Sequence, residues 1–97
     1  MSLPKTPDTD RLFRSILSLG SVEECYQYFD DLCTVREVQS IAQRLAVARM
    51  LAEGGSYQQT IAETGASSAT ISRVKRFLDY GTGGYETVLG RLAEDEP

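Results

Sequence analysis

Apolar residues recur at spacings of three and four along almost the whole chain, and period-two alternation is nearly absent. A helix returns to the same face every 3.6 residues and a strand every two, so this pattern predicts an all-α fold of about six helices. Residues 1–7 hold Pro4 and Pro7 with few apolar groups and read as a flexible arm. A first helix over 8–19 places Leu12, Phe13, Ile16 and Leu17 on one face. Gly20 is placed to take the left-handed conformation that ends helices.

Ser21 followed by Glu24 has capping-box spacing, in which hydroxyl and carboxylate satisfy the free amides of a helix start. The helix it opens carries Val22, Cys25, Tyr26, Phe29 and Leu32 as its apolar stripe. Thr34 with Glu37 repeats the box and opens a long helix to about Glu53. Val35, Val38, Ile41, Ala42, Leu45, Ala48 and Ala52 are its expected inward set, widened by Val47, Met50 and Leu51. So broad an apolar surface is buried by several neighbours or by a second subunit, which makes this the central helix. Gly54 and Gly55 end it.

Ser56 with Gln59 caps a short helix to Thr64, and Gly65 permits a tight turn. Ser67 or Ser68 opens the next helix, with Ile71, Val74, Phe77 and Leu78 inward and Ser68, Ser72, Lys75, Arg76 and Asp79 outward. After the glycines at 81, 83 and 84, Tyr85, Val88, Leu89 and Leu92 mark a final helix over 84–93, and residues 94–97 read as a fraying tail. The expected organisation is one domain over 1–97, with dimerisation helices at 8–53 and a helix-turn-helix at 56–80.

Composition narrows the chemistry. With 41% hydrophobic and 25% charged residues the chain is an ordinary folded protein. Its longest apolar stretch, broken by Arg49, is far shorter than the roughly 20 residues of a membrane helix. No signal or lipidation pattern opens the sequence, so a cytoplasmic setting is expected. The chain has no histidine, and its two cysteines, Cys25 and Cys33, are eight apart rather than in CxxC spacing. They read as core thiols on one helix face, with no metal or other cofactor expected.

The net charge of −4 sits unevenly. Residues 1–33 and 81–97 each carry −3 and residues 34–66 are neutral, while residues 67–80, with three cations and one carboxylate, carry +2. The positive block is the second helix of the helix-turn-helix, where attraction to phosphate is needed. That helix, GASSATISRVKRFLDYG over 65–81, begins with small polar residues that allow close approach to base edges. Arg73, Lys75 and Arg76 follow one or two turns later. The bland alternative is that the serines only cap and the cations form a solvated face.

Ser67, Ser68, Ala69, Thr70, Ile71, Ser72 and Arg73, preceded by Glu63, Thr64, Gly65 and Ala66, resemble the Trp repressor family, most closely its YerC/YecD-like branch. Tyr80, Gly81, Thr82, Gly83, Gly84 and Tyr85 add to that likeness, which spans residues 32–92. The resemblance implies an intertwined homodimer whose recognition helices enter successive major grooves, roughly 34 Å apart, on a near-palindromic operator. It places Ser68, Ala69 and Ser72 at base edges and Gln58 at the backbone. The candidate DNA-contacting set is Gln58, Ser67, Ser68, Ala69, Thr70, Ser72, Arg73, Lys75 and Arg76. Thr60 departs from the family pattern by standing at a normally aliphatic position, and Ile61 at a normally small or polar one, which implies that the first short helix, over 56–64, is rotated or loosely packed.

In the family's namesake, tryptophan lies between the central and recognition helices. Thr34, Arg44 and Arg73 match residues around it, but Val74 and Phe77 stand where the repressor has glycine and serine. These five outline a vestigial ligand pocket in which the indole's space is filled, so tryptophan control is not expected and any other effector is unknown. Arg44 is expected to pair instead with Glu37 or Glu53, and Arg73 is left between DNA and the old pocket. Catalysis has no support, since the carboxylate pairs Asp30, Asp31 and Glu94, Asp95 diverge and Gly81, Thr82, Gly83, Gly84 lacks the lysine and strand of a phosphate loop. The competing reading is a helical dimerisation or protein-docking module that keeps the helix-turn-helix shape without specific DNA binding.

Overall fold

The computed structural model describes residues 3–95. Met1, Ser2, Glu96 and Pro97, which fall in the expected arm and tail, lie outside the described residues. The chain forms α1 (Pro7–Leu17), α2 (Val22–Leu32), α3 (Val35–Ala52), α4 (Tyr57–Thr64), α5 (Ser68–Tyr80) and α6 (Gly84–Asp95), with no strand among the described residues. The last helix runs through Glu94 and Asp95, which the sequence assigns to a frayed tail.

Local side-chain chemistry sets most helix starts. Thr6 accepts the Thr9 amide at 3.1 Å, and Pro7 occupies the first position, where a missing amide costs nothing. Helix α1 therefore begins inside the expected arm. It ends at Leu17 rather than Leu19, and Gly20 is not left-handed. The reason is that Gly20 belongs to the next cap: its amide donates to Glu24 Oε1 at 2.7 Å while Ser21 Oγ accepts the Glu24 amide at 3.1 Å. At α3 the box is fully reciprocal, with Thr34 N donating to Glu37 Oε1 at 2.8 Å and Glu37 N to Thr34 Oγ1 at 3.2 Å. The left-handed glycines are Gly54, Gly65 and Gly83.

The chain divides into two compact units, the first ending at Val38 and the second starting at Gln39. In the first, the Ser15 and Tyr28 hydroxyls hydrogen-bond at 2.6 Å and the Tyr28 and Phe29 rings meet edge to face at 5.8 Å. No side chain of α1 or α2 is fully buried. In the expected stripe of α2, Val22, Tyr26 and Leu32 are exposed, and Cys25 and Phe29 are half-buried. Both cysteines are free and half-buried rather than core, and Cys33 lies past the helix as its C-cap.

The second unit is built on Val47 and Ala48 of α3, Ala66 of the turn, and Ile71 and Val74 of α5, with Leu51, Tyr85 and Leu89 packed against them. Of the expected inward set of α3, Val35, Val38, Ile41, Ala42, Leu45 and Ala52 are exposed. Among the described residues, no element fully covers their apolar surface. A groove of about 930 Å³ in the second unit is lined by Ala42, Leu45, Ala46, Leu89, Leu92 and Ala93, among others. Phe77, expected inward, is also exposed. No helix among the described residues is long and apolar enough to cross a membrane.

Candidate nucleic-acid interface

The site is the α4–turn–α5 unit. Ser56 caps α4 by accepting the Gln59 amide at 3.1 Å, and Gly65 ends it at φ +70, donating to Ile61 O at 2.9 Å. Only three residues separate the helices, and the middle one, Ala66, is buried. Its amide donates to Thr64 Oγ1 at 3.2 Å, and Gln43 Nε2 of α3 donates to Thr64 O at 3.2 Å. The turn is thus tied to α3 by a polar bond as well as by the apolar core.

Thr60 is fully buried and Ile61 is exposed, so α4 is packed rather than loosely rotated. A buried hydroxyl is tolerated because Thr60 Oγ1 donates to Ser56 O at 2.7 Å, one turn back on its own helix. The threonine methyl can then face the core as an aliphatic side chain would.

On α5, Ile71 and Val74 are buried and Leu78 is half-buried. At 3.6 residues per turn the opposite face carries Ala69, Ser72, Arg73, Arg76 and Tyr80, all exposed. Ser68 and Lys75 lie on one flank and Thr70 on the other. Ser67 is the cap, accepting the Thr70 amide at 3.1 Å and donating its hydroxyl to Thr70 Oγ1 at 3.1 Å. Ser67 and Thr70 are therefore committed to the helix start, while Ser68, Ala69, Ser72, Arg73, Arg76 and, on α4, Gln58 present themselves to solvent. Lys75 Nζ pairs with Asp79 Oδ1 at 3.3 Å, whereas Arg73 and Arg76 have no ion pair among the described residues. Tyr80, at 86% exposure the most open aromatic on this face, was not among the sequence-derived candidates. Its position four residues after Arg76 is the signal that places it there.

Of the five residues matching the ligand pocket, Arg73 and Phe77 are exposed and the other three are otherwise engaged. Val74 is in the core. Arg44 folds onto its own helix, with Nε 3.4 Å from Ser40 O and Nη2 3.4 Å from Ser40 Oγ. It does not pair with Glu37 or Glu53: Glu53 is held by Arg49 at 3.3 Å and Glu37 by the Thr34 box. Thr34 lies in the first unit, its hydroxyl accepting the Glu37 amide.

The profile of the Trp repressor protein family matches residues 8–93. The chain belongs to the Trp repressor family. It is 62% identical over 89 residues to the uncharacterized protein YerC of Bacillus subtilis (strain 168), covering 92% of this chain and 86% of that one. Among solved structures, a candidate Trp repressor from Staphylococcus aureus superposes with a TM-score of 0.89 at 52% identity, covering 92% of this chain and 89% of that one. A TrpR-like protein from Eubacterium eligens ATCC 27750 superposes equally well, at 0.89 with 48% identity and 92% of each chain. Membership places α4 and α5 in a family of DNA-binding regulators, and the six-helix fold is that of its Trp-repressor-like members.

Proposed function

We propose that this chain is a sequence-specific double-stranded DNA-binding regulator, acting as a homodimeric repressor on a near-palindromic operator without tryptophan. The observation that carries this reading is the outward face of α5, where two small residues, Ala69 and Ser72, are followed by two exposed arginines with no ion pair among the described residues. Small groups allow a helix to approach base edges, and guanidinium groups bind phosphates or guanine. Gln58, exposed on α4, supports a backbone contact. The roles of Ser67 and Thr70 are to hold the helix start, and Lys75 sits on the flank.

Homodimerisation is supported by the uncovered apolar surface of α3 and the groove beside it. Independence from tryptophan is supported by Val74, whose side chain occupies the core where a ring would need space, and by Arg44, which bonds to Ser40 instead.

Selection of bound sequences from a random duplex pool, with protein of measured oligomeric state, tests the reading. The expected result is an enriched motif of two inverted half-sites about one helical turn apart, bound by a dimer. Tight self-association with no enriched motif would instead point to a protein-docking module.

A further inference from the structure

The cations of α5 fall into two classes. Arg73 and Arg76 occupy the face opposite the core and have no ion pair among the described residues, while Lys75 lies on the flank within 3.3 Å of the Asp79 carboxylate. Nothing about helix stability calls for that carboxylate. Asp79 stands in the last turn of α5, where a negative charge opposes the helix dipole. The pair also runs from cation to anion toward the C-terminus, the weaker of the two i,i+4 orders. Both members are well exposed, at 42% and 40%, where such pairs contribute little to folding.

On the DNA-binding reading above, their place on the helix matters more. An α-helix about 10–12 Å across fills a major groove about 12 Å wide, so the small side chains of its first turn meet base edges, while long cationic side chains further along and on its flanks reach the phosphate walls. Lys75 and Asp79 share one flank. We infer that Asp79 is a built-in brake on phosphate binding: it neutralises Lys75 and sets its own negative charge beside the DNA backbone. Arg73 and Arg76 then supply the effective attraction from α5, and sequence-reading contacts carry a larger share of the affinity. This suits a protein whose total charge is already −4.

The test measures affinity against salt for the full-length wild type, Asp79→Asn, Lys75→Ala and the double variant, on the selected operator and on a random duplex, with circular dichroism to check folding. Asp79→Asn frees Lys75 for one further phosphate, so the slope of log affinity against log salt should steepen by about 0.9 per recognition helix. Affinity near 0.1 M salt should rise roughly fivefold per helix, by the same factor on both duplexes. Lys75→Ala should change the slope little in the wild type and remove the gained slope in the Asp79→Asn background. If Asp79→Asn leaves affinity and slope unchanged, or if Lys75→Ala alone flattens the slope as much as Arg76→Ala does, the inference is overturned while DNA binding stands. If the wild type binds neither duplex, the DNA-binding reading fails and the brake with it.

Discussion

Gly81 donates its amide to the Phe77 carbonyl at 2.9 Å, and a Cβ built on Gly81 would overlap that same oxygen. The backbone at 81 is extended, with φ −80 and ψ −164, so glycine is required by the close approach and not by a left-handed turn. Gly81→Ala should force the end of α5 to shift and cost about 1–3 kcal/mol, read as a lower urea midpoint.

Thr60 separates hydroxyl from methyl. The Ser56 carbonyl that accepts its hydroxyl also accepts the Thr60 amide at 2.9 Å, so removing the hydroxyl leaves no buried acceptor empty. Thr60→Val should therefore stay within about 1 kcal/mol of wild type, whereas Thr60→Ala, which also opens a void, should lose about 2 kcal/mol. Chemical denaturation of the two variants gives the order.

The Thr34 backbone amide, and after it the Thr34 hydroxyl, hold the Glu37 carboxyl below its ordinary range. A lowered folded value means that the charge of Glu37 favours the folded state above the ordinary glutamate value. That contribution fades as pH falls through the lowered one. Glu37→Gln keeps an acceptor for the Thr34 amide but does not titrate. Melting curves should show a smaller loss of stability for the variant than for wild type as pH drops below about 4.3.

Positioning and reading contacts should separate by mutation. Arg76→Ala is expected to weaken binding to all duplexes alike and to reduce the salt slope by about one per recognition helix. Substitution of Ser68 or Ala69 should alter base preference, by about 1–3 kcal/mol of discrimination at the affected position. Equal losses on operator and random DNA for all three variants would count against this assignment, and fluorescence anisotropy on both duplexes decides it.

Calorimetry with tryptophan should show no saturable heat in the micromolar range, and operator affinity should be the same with and without it. Val74→Gly empties a core position beside Val47 and Ala48. It should destabilise the protein by about 2–4 kcal/mol, and opening that space without freeing Arg44 from Ser40 should not by itself create tryptophan binding.

What was legible in the sequence is mainly what depends on neighbours a few residues apart. The pairings of Ser21 with Glu24, Thr34 with Glu37 and Ser56 with Gln59 all appear as hydrogen bonds, because capping needs only local geometry. Gly20 escaped the same reasoning because two rules compete for it, and capping of α2 wins over termination of α1. The burial of Thr60 was hidden because a departure from an aliphatic family pattern takes no account of a hydroxyl that bonds to its own helix. The apolar stripes of α2 and α3 mark surface to be covered, but periodicity does not say whether the cover comes from the same chain, and here Val22, Val35 and Ile41 remain open. Within the candidate site, the exposure of Ser68, Ser72 and Arg76 followed from the 3.6-residue period, whereas Phe77, expected inward, is exposed. The commitment of Lys75 to Asp79 depends on two rotamers, and the bending of Arg44 onto Ser40 likewise, which no spacing rule determines.

The bond from Gln43 to the Thr64 carbonyl lies in none of the segments that present residues outward on α5. A genetic screen for loss of DNA binding would nevertheless recover substitutions at Gln43, and sequencing alone would misfile them as defects of a central helix. Their phenotype would come from a turn set free to tilt the reading helix, and a second-site suppressor would be sought in residues 60–66 rather than in α3.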